Sequence, residues 1–95
     1  MTEPTLTPEM RPRLPRGVRL KFDEARQGWV LLAPERVIKC NESSVEIIKR
    51  CSGSAPIGSI VDDLTTVFSA DRGDVERDVM ALVKQLAGKR LMDFD

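Results

Sequence analysis

Residues 28–44, GWVLLAPERVIKCNESS, hold the change of hydrophobic period on which the fold turns. Trp29 to Ala33 is apolar without a break, which reads as a strand central in its sheet or covered on both faces. Pro34 and Glu35 then make a tight turn, because proline presets the dihedral angle of a turn's second residue. Arg36 to Cys40 runs back as the next strand. Asn41 follows as a helix N-cap with Glu42 in the first turn, and Val45, Ile47, Ile48 and Cys51 supply one apolar side. No group with catalytic chemistry stands in the stretch.

Toward the N-terminus, Val18, Leu20 and Phe22 alternate with Arg19, Lys21 and Asp23, a period of two. EARQG is a loop that ends at Gly28. Strands are therefore expected at about 17–23, 28–33 and 36–40, as an antiparallel meander with 36–40 at an edge. Trp29 is expected to pack on the sheet rather than to anchor a partner. Residues 1–16 carry Pro4, Pro8, Pro12 and Pro15 with little apolar content, which reads as a disordered, polyproline-like arm or a linker.

Toward the C-terminus the period is helical throughout. The first helix is expected at about 42–51, ended by Gly53. A second, about 56–69, places Ile57, Ile60, Val61, Leu64, Val67 and Phe68 on one stripe. A third, about 74–87, has Val75, Val79, Leu82 and Leu86 as its core face, with Gly88 as the stop. The tail LMDF is expected to pack back on the helices. The fold class is α+β and winged-helix-like: a three-stranded antiparallel meander followed by a three-helix bundle, over residues 17–95.

Composition narrows the function. There is no histidine, which removes histidine acid–base catalysis and histidine ligation of metal. Lys+Arg and Asp+Glu are both 15, so net charge gives no general reason to bind nucleic acid or an anionic membrane. Residues 1–40 hold eight basic and five acidic residues, and 41–95 hold seven and ten, so the strand half is mildly basic. Cys40 and Cys51 match no zinc or redox spacing and read as two thiols in a reducing cytoplasm. Asp71, Asp74, Glu76 and Asp78 suit a helix N-terminus without any metal. No phosphate loop or nucleophile elbow is present. The chain reads as a cytoplasmic protein that is not an enzyme, with no cofactor and no metal.

Two binding readings remain. A winged-helix regulator would offer its third helix to the DNA major groove, yet that helix opens with four acids. The alternative is peptide capture, in which an extended peptide adds to the open edge at Arg36, Val37, Ile38 and Lys39. On the third helix, Met80 and Val83 either wall such a groove or simply widen the core face. Arg77 and Lys84 would flank it and hold acidic residues of the peptide.

The stretches PRLPRGVRLKFDEARQGWVLLAPERVIKCNESSVEIIKRCSG, IVDDL and DVMALVKQLAGKRLM resemble the PqqD family of pyrroloquinoline quinone biosynthesis. The likeness spans about residues 12–94. Cys40 departs from an expected aliphatic residue, and Ser52 from a frequent aspartate. The resemblance implies a recognition element for ribosomally made, modified peptides, which chaperones the precursor PqqA and presents it to the radical S-adenosylmethionine enzyme PqqE. It implies a leader bound as an added strand between the third strand and the third helix, at the eight residues just named. The iron–sulfur cluster and S-adenosylmethionine belong to that enzyme, and this chain has no ligand set for either. An open edge also invites self-pairing, so a monomer or a weak dimer is expected, with no nucleic acid and no membrane as partner.

Overall fold

The structure, a computed structural model, describes residues 6–95. Strands β1 (Pro12–Arg13), β2 (Arg19–Asp23), β3 (Gly28–Ala33) and β4 (Arg36–Cys40) precede helices α1 (Glu42–Lys49), α2 (Ile57–Phe68) and α3 (Arg72–Gly88). A short β5 (Asp93–Phe94) closes the chain. The main sheet is antiparallel in the order β2-β3-β4, and β1 and β5 make a separate antiparallel pair. The three-stranded sheet with three helices is the α+β arrangement that the change of period implies.

Strand pairing sorts the sheet into two faces. Leu20, Leu31 and Ile38 lie opposite one another across the strands and pack on the core. Phe22, Trp29 and Cys40 form the next row on that face. Trp29 is half-buried there, edge-to-face with Phe22 at 5.5 Å, with the Lys49 ammonium 5.3 Å from its ring centre. The opposite face carries Lys21, Val30 and Lys39 in one row and Arg19, Leu32 and Val37 in another.

Below the sheet, Ile47 and Ile48 of α1 meet Ile57, Ile60, Val61 and Leu64 of α2 and Val75, Val79, Val83 and Leu86 of α3. Each such side chain contributes roughly 1.5–3 kcal/mol on leaving water, so this core dominates the stability. The helices are capped as their sequences dictate. Asn41 accepts from the Ser44 amide at 2.8 Å, and Asp71 accepts from the Gly73 amide at 3.1 Å. The Asp71 cap starts α3 at Arg72, two residues before the expected Asp74. α1 stops at Lys49, where Arg50 reaches Glu46 at 3.0 Å and Asp63 on α2, tying the two helices together.

The disordered arm expected over residues 1–16 is corrected for residues 6–16; Pro4 and its neighbours at 1–5 lie outside the described residues. Pro12 is buried, and Leu6, Met10 and Leu14 pack against the core. Prolines forbid a helix here but not an extended strand, and β1 finds its partner in the C-terminal tail. Leu91 and Met92 of that tail are buried. Among the described residues, no helix is long and apolar enough to cross a membrane.

Candidate functional site

Among the described residues β4 pairs only with β3, so one of its sides is an open edge. Which backbone groups face that edge follows from the turn. Ala33 and Arg36 lie directly opposite with only Pro34 and Glu35 between them, so they form a hydrogen-bonded pair. Alternation along the ladder then turns the N–H and C=O of Arg36, Ile38 and Cys40 toward β3. Those of Val37 and Lys39 point outward. The Val37 side chain is 53% exposed, although it is large and apolar. Ile38, by contrast, packs against the core.

Beyond the end of β4 runs a cleft between α1 and α3, with a volume of ≈ 340 Å³. Asn41 at the strand-to-helix junction, Ser43 and Ile47 line one side, and Asp78, Ala81, Leu82 and Gln85 line the other. A second cleft of ≈ 300 Å³ shares Ser43, Ile47 and Asp78 and continues past Asp74 to Phe68 and Leu64. Its floor is apolar and its rim holds two carboxylates. Together the clefts follow one flank of α3.

That flank differs from the one expected from the apolar spacing of the third helix. Val83 is fully buried in the core, so it walls no groove. Arg72, Glu76 and Met80 form an i, i+4, i+8 row, and Arg72 binds Asp62 of α2 at 2.8 Å, so this row faces α2. Met80 is half-buried on that side, while Arg77, exposed and 3.4 Å from Asp74, and Lys84, also exposed, lie farther round. None of the three lines either cleft. The residues brought to the cleft, Asp78, Ala81, Leu82 and Gln85, lie about 100° per residue round the helix on the other side of the core stripe. The missed signal was small: Val75, Val79, Val83 and Leu86 form the buried stripe, and Leu82 is its edge.

Burial pushes the Cys51 thiol up to about 12 and raises that of Cys40, which leaves both as weak nucleophiles. Among the described residues, no group of three or more histidines, cysteines or carboxylates is placed to hold a metal ion. What the site offers a ligand is backbone hydrogen bonding along β4 and, past the strand's end, clefts with an apolar floor and an acidic rim.

A small α+β domain with an open sheet edge and an interhelical cleft has features that peptide-binding modules use. The family model for Coenzyme PQQ synthesis protein D (PqqD) matches residues 28–92, and the chain belongs to that family. A Rhodopseudomonas palustris relative, called PqqA binding protein, is 51% identical over 79 residues, 83% of this chain and 78% of that protein. A Xanthomonas oryzae protein of the same name is 41% identical over 88 residues, covering 93% of this chain and 96% of its own. The solution structure of the PqqD truncation of Methylobacterium extorquens PqqCD, described as a functional, stand-alone RiPP recognition element, matches with a TM-score of 0.80. It is 37% identical and covers 94% of this chain and 95% of that one. The crystal structure of PqqD from Xanthomonas campestris gives a TM-score of 0.58 at 39% identity, covering 92% and 97%.

Proposed function

We propose that this protein is a non-catalytic chaperone that binds the precursor peptide PqqA by strand addition at β4 and presents it to the radical S-adenosylmethionine enzyme PqqE in the cytoplasm. The observation that carries the reading is the open edge of β4 beside the α1–α3 cleft. Relatives named for PqqA binding and a neighbour described as a RiPP recognition element support the choice of ligand. The outward N–H and C=O of Val37 and Lys39 offer four bonds at a net ~0.5–1.5 kcal/mol each, and apolar peptide side chains in the cleft would bring binding to roughly micromolar. Arg36 and Ile38 hold the strand against β3, and Asp78, Ala81, Leu82 and Gln85 replace Arg77, Met80, Val83 and Lys84 as the helical wall. The DNA reading gains nothing from the clefts, since Asp74 and Asp78 line them and would repel phosphates.

An amide chemical-shift titration of labelled protein with PqqA tests the proposal. Large saturable shifts are expected at Val37, Lys39, Asp78, Leu82 and Gln85, with small ones at Arg77 and Lys84. Shifts confined to β2, or none at tens of micromolar peptide, would sink strand addition at β4.

A further inference from the structure

The outer face of the sheet, away from the helices, holds a charge pattern that the fold does not explain. Its two cross-strand rows are Lys21–Val30–Lys39 and Arg19–Leu32–Val37. Val30 is only 2% exposed although it lies on this outer face and outside the main core cluster. Long neighbours on both adjoining strands account for that, because lysine stems cover apolar surface while the ammonium stays in water. Glutamate or glutamine stems would serve as well, so burial explains the length of the side chains and not their sign. All three are cations, all are exposed, and among the described residues none of them makes an ion pair. Of the two acids at its loop end, Asp23 is committed to Arg26 at 2.7 Å, and Glu24 lies beyond the end of β2. Lys21 and Lys39 stand on the two outer strands with Val30 between them, and Arg19 lies two residues from Lys21 on the same strand, so three cations gather on one face.

We propose that this face docks an acidic segment of a protein partner, with an apolar side chain seated on Leu32 and the exposed Val37. The other occupants fit less well. Three cations hold an anionic bilayer or a phosphate backbone weakly. A second copy packed face to face about a two-fold axis would set cations against cations. The inference rests on strand addition at β4 for its meaning. An added peptide strand extends this same face, so a partner lying across it touches the domain and the peptide at once. That is the geometry of presentation to an enzyme.

The test is the double variant Arg19→Glu/Lys21→Glu, whose sites are exposed and lie on β2, away from the β4 edge. Affinities for PqqA and for PqqE would be measured by titration calorimetry, with circular dichroism as the fold control. The expected result is a loss of at least roughly tenfold in PqqE affinity with PqqA affinity unchanged, and a wild-type PqqE complex that weakens as salt is added. Unchanged PqqE affinity overturns the proposal while leaving strand addition intact. So does a variant that loses PqqA and PqqE together, because the charges then act on the peptide site. Loss of binding to phosphatidylserine vesicles, or of a dimer in sedimentation, with PqqE binding retained would assign the face to a membrane or to a second copy instead. A wild-type protein that binds PqqA but not PqqE overturns the docking surface alone. One that binds neither overturns the functional reading as well.

Discussion

Gly53 shows how much one position can fix. Its φ is +88°, in the left-handed region that a side chain disfavours, and its amide donates to the Pro12 carbonyl at 2.9 Å. A Cβ there would meet the Asp95 Oδ2 atom and would stand 3.3 Å from the Cβ of Arg13. The terminal carboxylate can swing aside, but the Arg13 backbone is held by its pairing with Asp93. Gly53→Ala is therefore expected to destabilise the domain by about 1–2 kcal/mol, lowering Tm by roughly 5–15 °C in a thermal melt. An unchanged Tm would mean that the Gly53 turn relaxes freely. The sequence marks Gly53 as a helix terminator; its close approach to Arg13 and Asp95 joins residues far apart in the chain, which no local pattern reveals.

Among the elements, β4 is both the most legible and the most consequential. The alternation in Arg36–Cys40, the Pro34–Glu35 turn and the Asn41 cap together place an edge strand whose observed span is Arg36–Cys40. The two-residue turn also fixes the direction of each amide on the strand. Val37→Pro removes a donor that points away from β3, so the sheet should survive while peptide binding weakens. The loss of one hydrogen bond is about 1 kcal/mol, or roughly fivefold in PqqA affinity, with unchanged far-ultraviolet circular dichroism. A collapsed spectrum would mean that the Val37 amide bonds to Leu32 instead. α3 was less legible for a physical reason. Leu82 and Val83 are adjacent, and the spacings four-three-four and four-four-three both make a continuous apolar stripe. Only packing against Arg72's partner Asp62 on α2 decides which flank is left for the cleft.

At the scale of the whole molecule, the proline-rich segment is a structural part of the domain. α2 begins at Ile57 after Pro56, which offers no side-chain cap, so its first amides need acceptors from elsewhere. The Met10 carbonyl takes the Ile57 amide at 2.9 Å, and the Pro8 carbonyl takes that of Gly58 at 3.0 Å. Proline suits this task because it supplies an acceptor and leaves no donor to satisfy. The Arg11 carbonyl accepts from the Asp95 amide at 2.9 Å, so the same few residues tie the C-terminal tail to the start of α2. Composition alone suggests a dispensable arm, because the acceptors that matter are backbone carbonyls, which a hydropathy pattern does not register. Deletion of residues 1–11 is expected to remove about 2–4 kcal/mol, from the lost cap and from the buried surface of Leu6 and Met10. The protein should melt well below the full chain yet still bind PqqA at low temperature, since β4 and the α1–α3 cleft contain none of the deleted residues. A truncated protein with the full-length Tm would show that water caps α2 equally well.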